Sequence, residues 1–295
     1  MLIASCQSSN RILARDAQKE MAPFSCPDCS KEVILHKGLI KVHHFQHKPP
    51  VTCVYGLGET DVHYTTKLAI YDSIRARGTA TCVEVEYQLL PGVRPDVYFE
   101  FRNTKVAVEI QKTAQTVEEM QKRTKAYDAL KVHVVWIIPD SAPNWIDADR
   151  QICRVQMWHE FLHATYFGRV YYWRHDRFVR AAHFGKCHRY IPEGNWVEDW
   201  EEEIGDDLSG TYWYDEHHDD AYYGGGSRLL KSQKTVAWYP TELDLLDDFR
   251  PTNRKEFDCK RYIVPPCRLW MDKRTPWWAK NKFQKTSLAA DEPPI

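Results

Sequence analysis

Three segments decide the reading of this chain: Arg94-Pro95-Asp96-Val97-Tyr98-Phe99, a charged turn at Arg102-Asn103, and Val106-Ala107-Val108-Glu109-Ile110-Gln111-Lys112. Apolar runs rich in β-branched and aromatic residues, bounded by a turn, read as adjacent strands. Asp96 heads the first strand and Glu109 lies inside the second, so the turn brings two carboxylates together. Converging carboxylates at strand ends suit a hard divalent cation, Mg²⁺ or Mn²⁺, which prefers oxygen ligands. Such an ion activates water and clamps a phosphoryl group. Asp96 has a plainer alternative, a cap at a strand edge after Pro95. Glu109 is harder to explain away, because a carboxylate amid Val106, Val108 and Ile110 is costly to bury without a cation or a partner.

The two runs resemble the PD-(D/E)xK nuclease motif. Pro95-Asp96 stands as its first part and Glu109-Ile110-Gln111 as its second, with Gln111 where that motif usually carries lysine. Neighbouring strand residues point to opposite faces, so Glu109 and Gln111 share a face and Lys112 does not. Gln111 can orient water or donate to a phosphate oxygen, but it supplies no charge. Lys112 reaches the metal only if the strand bulges or ends there.

A chain of 295 residues suggests one large domain or two smaller ones. An apolar fraction of 43% supports a sizeable core. No apolar run is long enough for a transmembrane helix, and Met1 to Cys6 is too short and weak for a signal peptide. Nine cysteines, an odd number without a repeating disulfide spacing, fit a reducing cytoplasm. The net charge of −1 hides an asymmetry: residues 191–220 hold 12 acids and no Lys or Arg. The remainder carries an excess of about 11 positive charges, and a basic body attracts phosphate backbones. The acidic run reads as a solvated loop. A sharper alternative is a segment that competes with nucleic acid for the basic surface. Its Trp196, Trp200, Tyr212, Trp213 and Tyr214 suggest that part of it packs down.

Four stretches follow: 1–55, short strands around a Cys/His cluster; 56–150, an α/β core; 151–190, an aromatic helical and strand extension; and 191–295, the acidic segment and a Pro/Trp/Lys-rich C-terminal region. Leu68, Ile70, Tyr71 and Ile74 give the spacing of a helix from Gly58 to about Arg77. Strands are expected at Thr81 to Leu90, Asp96 to Phe101, Lys105 to Ile110 and Val132 to Ile138, with a helix from about Thr116 to Leu130. This β–α–β order points to an α/β fold with a mixed sheet.

Cys26-Pro27-Asp28-Cys29 is a C-x₂-C knuckle, and His44-Phe45-Gln46-His47 follows it. Two thiolates and two imidazoles complete a tetrahedral, structural Zn²⁺ site at Cys26, Cys29, His44 and His47. Glu32 to Lys41 reads as a hairpin with Gly38 at its turn, carrying the His pair back to the Cys pair. Cys53 and His43 are spare ligands. The bland alternative is two buried thiols and a His-rich loop that binds nothing.

Phe24 to Cys29, the hairpin, His44 to His47, then Glu59, His63 and Lys67, Arg94 to Val97 and Val108 to Gln111 occur in an order similar to the competence protein CoiA family. Arg123-Thr124, Tyr127, Val135 to Ile138 and Phe167-Gly168-Arg169-Val170-Tyr171-Tyr172-Trp173 agree with it, so the likeness runs from about residue 20 to 190. It implies a PD-(D/E)xK restriction-endonuclease-like core behind a small zinc-binding β module. It also implies a role in handling incoming DNA during transformation. Glu-x-Gln is itself a trait of that family.

Glu59, His63 and Lys67 stand at i, i+4 and i+8, on one helix face. They read either as a solvent-exposed ladder or as part of the site. In the second reading Glu59 reaches the metal, His63 contacts phosphate or acts as acid or base, and Lys67 replaces the missing lysine. The expected function is a Mg²⁺- or Mn²⁺-dependent deoxyribonuclease acting on single- or double-stranded DNA in competence, recombination or defence, with protein partners in those processes. The alternative is a non-catalytic DNA-binding or recruiting module that keeps the nuclease fold.

Overall fold

The computed structural model describes residues 1–6, 10–53, 55–56, 59–112, 115–139, 145–188, 233–259 and 261–274. The acidic segment 191–220, the glycines at 224–226 and the tail after residue 274 lie outside the described residues.

Five short strands form the first sheet: β1 (Ile3–Ser5), β2 (Arg11–Leu13), β3 (Phe24–Ser25), β4 (Glu32–His36) and β5 (His44–His47). Their order is β2-β1-β3-β4-β5. The hairpin expected around Gly38 is β4–β5, with Val33 opposite His47 and His36 opposite His44. Phe24, Val33, Leu35 and Phe45 turn inward with Cys26 and Cys53 as a small core.

Helix α1 (Asp61–Arg77) starts at the Thr60 cap, whose side chain accepts the His63 amide, and ends at Gly78 in the left-handed conformation. Glu59 therefore precedes the helix rather than lying in it. Tyr64, Lys67, Ile70, Tyr71 and Ile74 form its buried stripe, the i, i+3, i+4 spacing of a core-facing helix. Then come β6 (Thr81–Val85), β7 (Val97–Phe101), β8 (Thr104–Ile110), α2 (Val117–Ala129) and β9 (His133–Ile138). The strand expected to run on to Leu90 stops at Val85, because Glu86 turns the chain with φ of 51°. Arg102 and Asn103, both at positive φ, make the two-residue turn of the β7–β8 hairpin, as the twist of paired strands favours. Strand β8 pairs antiparallel with β7 and parallel with β9, with α2 as the crossover. A capping box between Thr116 and Glu119 starts α2.

The stretch read as an extension beyond this core continues the same sheet. After β10 (Trp145–Asp147), β11 (Ile152–Arg154) and α3 (Met157–Thr165), the hairpin of β12 (Val170–His175) and β13 (Phe178–His188) follows, with β12 parallel to β9. Strand β14 (Gln233–Trp238) pairs with β13 and β11. A last hairpin, Phe249–Arg254 with Cys267–Asp272, meets β9 at Val134. The fold is a mixed α/β architecture on one large mixed sheet. No helix among the described residues is long and apolar enough to cross a membrane.

Candidate functional site

Helix α1 lays its stripe beside the entry of β7 and the end of β8, and a cleft of about 420 Å³ opens there. Lys67 sits at its floor, 1% exposed, among three carboxylates. Its Nζ lies 2.8 Å from Glu86 Oε1 and 3.0 Å from Asp96 Oδ1, and it also donates to Glu59. Asp96 Oδ2 accepts from His63 Nε2 at 3.1 Å and from the Ile110 amide at 2.8 Å. One donor atom each from Glu59, His63 and Asp96 lies within 4.8 Å of the others, an arrangement that can hold a metal ion. Glu59 Oε2 accepts no hydrogen bond although buried, with the Met1 amino group 3.1 Å away. That ammonium is the cation that faces this oxygen.

The electrostatics follow from burial and pairing. Burial disfavours the Lys67 ammonium, but Asp96, Glu86 and Glu59 outweigh it and hold its pKa well above the ordinary value. Burial likewise opposes ionisation of Asp96, yet Lys67 and His63 keep it below the usual carboxylate range. For His63, burial is the largest influence and pulls the pKa down, but the charge and hydrogen bond of Asp96 together with Glu59 outweigh it, so the net direction is up. Lys67 is thus a fixed charge within a buried network. The exposed ladder that its spacing also allowed does not form.

Glu109 comes near Asp96, as the hairpin requires, since Val97 faces Val108. Its carboxylate is taken up by two residues of α2, however. Arg123 Nη2 donates to both its oxygens at 2.6 and 2.5 Å, and the Tyr127 hydroxyl donates to Oε1. Burial pushes Glu109 up to about 7 against the pull of Arg123. Glu109 accordingly does not join the Glu59–His63–Asp96 group. Gln111 and Lys112 both line the cleft. Lys112 escapes the strand's alternation because β8 ends at Ile110.

In the N-terminal sheet, Cys26, Cys29, His47 and Cys53 bring four ligand atoms within 4.8 Å of one another. His44, expected as a ligand, is replaced there by Cys53. The reason is strand geometry: His44 and His47 are three apart on β5 and point to opposite faces. His44 instead stacks between His36 and Tyr64. Burial pushes the Cys26 thiol up to about 12, and a bound cation would deprotonate it outright.

Three further contacts join this knuckle to the cleft. Arg94 pairs with Asp28 at 3.2 Å and covers the Tyr55 ring at 3.7 Å, while the Tyr55 hydroxyl donates to Glu86. Glu86 also accepts the Leu2 and Ile3 amides, and with Lys67 beside it stays near 2 despite its burial. Glu86, Arg123 and Tyr127 were not among the expected site residues. Glu86 gives no local sign, because it sits past the end of a half-exposed strand. Arg123 and Tyr127 stand at i and i+4 on α2, a spacing that does mark one helix face.

The family model described as competence protein CoiA, nuclease-like domain, matches residues 59–184. That of the competence protein CoiA N-terminal domain matches residues 6–56. Competence protein CoiA of Bacillus subtilis (strain 168) is 28% identical over 116 residues, which is 39% of this chain and 31% of that protein. The chain thus aligns with under a third of that relative's length. No solved structure matches.

Proposed function

We propose that this chain, which belongs to the competence protein CoiA family, is a divalent-metal-dependent nuclease that hydrolyses DNA phosphodiesters on a PD-(D/E)xK core, in the handling of incoming or foreign DNA. The observation that carries this reading is the group of Glu59, His63 and Asp96 at the floor of a cleft also lined by Arg94, Gln111, Lys112 and Arg123. Two carboxylates and one imidazole fit Mg²⁺ or Mn²⁺, the imidazole leaning toward the latter. Glu59, His63 and Asp96 would hold it, and it would supply a Lewis acid and an acidified water.

The chain's own residues take the remaining roles. Lys67 offsets the mutual repulsion of Glu59, Glu86 and Asp96 and so keeps them gathered. Held protonated and buried, it moves no proton; the charge that meets the scissile phosphate falls to Lys112 and Arg123 at the cleft wall. A preorganised cation there stabilises developing negative charge, typically by a factor of about 10² to 10³ in rate. The Gln111 amide orients the attacking water, and His63, with one ring nitrogen toward the metal and the other held near Asp96, orients that ligand set; water in the open cleft protonates the departing oxygen. Zn²⁺ at Cys26, Cys29, His47 and Cys53 would be structural, because four protein ligands leave no open position.

One observation favours a second reading, a DNA-binding or recruiting module without catalysis: Glu109 is occupied by Arg123 and Tyr127. Asp96→Asn separates the two. Under the nuclease reading it abolishes cleavage of single- or double-stranded DNA with Mn²⁺, while gel-shift binding persists. Cleavage by Asp96→Asn at the parent rate sinks the proposed site. Binding without cleavage by the parent at any metal concentration leaves the recruiting module.

A further inference from the structure

The tip of the β4–β5 hairpin carries two large aliphatic side chains in open water. Leu39 is 107% and Ile40 98% exposed, whereas other exposed large apolar residues reach at most 49% among the described residues. Single surface apolar residues are ordinary, but two adjacent ones presented whole at a turn are not a by-product of packing. The base beneath them is braced. His36 and His44 stack across the hairpin with ring centroids 5.1 Å apart, and His44 stacks on Tyr64 of α1 at 5.7 Å. Lys37 Nζ donates to the carbonyl oxygens of Ala17 and Arg15 at 2.7 and 3.2 Å.

The surroundings of the tip are cationic, and they connect to the cleft. Lys37 and Lys41 flank Leu39-Ile40. Lys41 lines a second cavity, of about 260 Å³, that shares Tyr55, Gly56 and Glu59 with the main cleft. Two aliphatic side chains are far too little for a stable protein interface, which buries about 1,000 Å² or more. They are also too little for durable membrane attachment, which takes two independent anchoring signals. They are enough for a wedge between base steps, where one or two apolar side chains suffice and neighbouring cations hold the phosphates.

We propose that Leu39 and Ile40 form a wedge that enters the stacked bases of duplex DNA bound along the path from Lys41 to the cleft. This rests on DNA being the ligand of the proposed nuclease. The wedge unstacks one step and opens the strands ahead of the metal group, so the backbone enters the cleft locally unpaired.

The test uses the full chain carrying Asp96→Asn, so that DNA stays intact, and a duplex with 2-aminopurine at successive positions. Binding should raise 2-aminopurine fluorescence at one or two adjacent steps. Adding Leu39→Ser and Ile40→Ser should remove that rise and weaken duplex binding by about tenfold or more. The slope of binding against salt should not change, because both lysines remain. Lys37→Ala with Lys41→Ala should instead lower that slope by about 2. An unchanged fluorescence rise in the serine variant overturns the wedge. So does a serine variant that binds duplex normally but no longer floats with phosphatidylserine vesicles, which assigns the tip to lipid. If the Asp96→Asn chain binds duplex without unstacking it, the wedge falls and the nuclease reading stands. If unstacking occurs but the parent never cuts, the nuclease reading falls and the wedge stands.

Discussion

Lys67→Met removes one charge from the centre of the molecule and keeps the length of the side chain. A surface ladder of Glu59, His63 and Lys67 would contribute only about 0.2–0.5 kcal/mol per pair. The network is different: Lys67 is 1% exposed, its partner Glu86 is 3% exposed, and Asp96 and Glu59 are each 13% exposed. Little water is present to screen them, so removing the ammonium leaves three carboxylates facing one another. Breaking a buried pair by removing one partner costs about 3–5 kcal/mol. At roughly 2–4 °C per kcal/mol for a chain of this size, the melting temperature should fall by about 6–20 °C. Far-UV circular dichroism in heat and in urea reads both quantities. Adding Glu86→Gln should restore part of the loss, because one uncompensated carboxylate disappears. A Lys67→Met chain that loses less than about 1 kcal/mol refutes the buried network and returns these residues to the surface-pair regime.

Cys53→Ser should lower the zinc content of the purified chain, while His44→Ala should leave it unchanged; elemental analysis of both decides between the two ligand sets. Tyr127→Phe removes a hydrogen bond to a buried carboxylate and should cost about 1.5–3 kcal/mol in urea unfolding. The folded pKa of Glu86, about 2 against an ordinary 4.5, contributes about 3 kcal/mol of stability. Because that pKa is depressed, the contribution is complete above the unfolded value and is lost as pH falls from about 4.5 toward 2. Glu86→Gln should therefore flatten the acid limb of the stability profile, and an equally steep limb in the variant would count against the assignment.

Much of the core was legible, because its signals are local. The β7–β8 hairpin could be placed from two apolar runs and an Arg-Asn turn, and α2 from its position between strands. Lys67 was legible in position but not in environment. Its place between Tyr64 and Ile70-Tyr71 puts it on the buried stripe, a sign that a charged residue there has partners. Glu59 and Asp96 were visible in the sequence, but the third partner, Glu86, sits past a strand end where spacing alone could not supply it. His44 lies outside the group that Cys53 completes for a reason that was available: residues three apart on a strand face opposite ways. Glu109 could be recognised as needing a partner. That the partner is Arg123 with Tyr127 depends on how α2 crosses β8, which is a tertiary fact.

The most direct test of metal-dependent hydrolysis is a cleavage time course on labelled linear DNA, single- and double-stranded. The chain is first freed of loosely held divalent ions and then assayed with and without added Mn²⁺, beside Asp96→Asn. The account predicts products that appear only with Mn²⁺ and only with the parent chain. Equal cleavage by Asp96→Asn, or intact DNA with the parent at every Mn²⁺ and Mg²⁺ concentration, would contradict it.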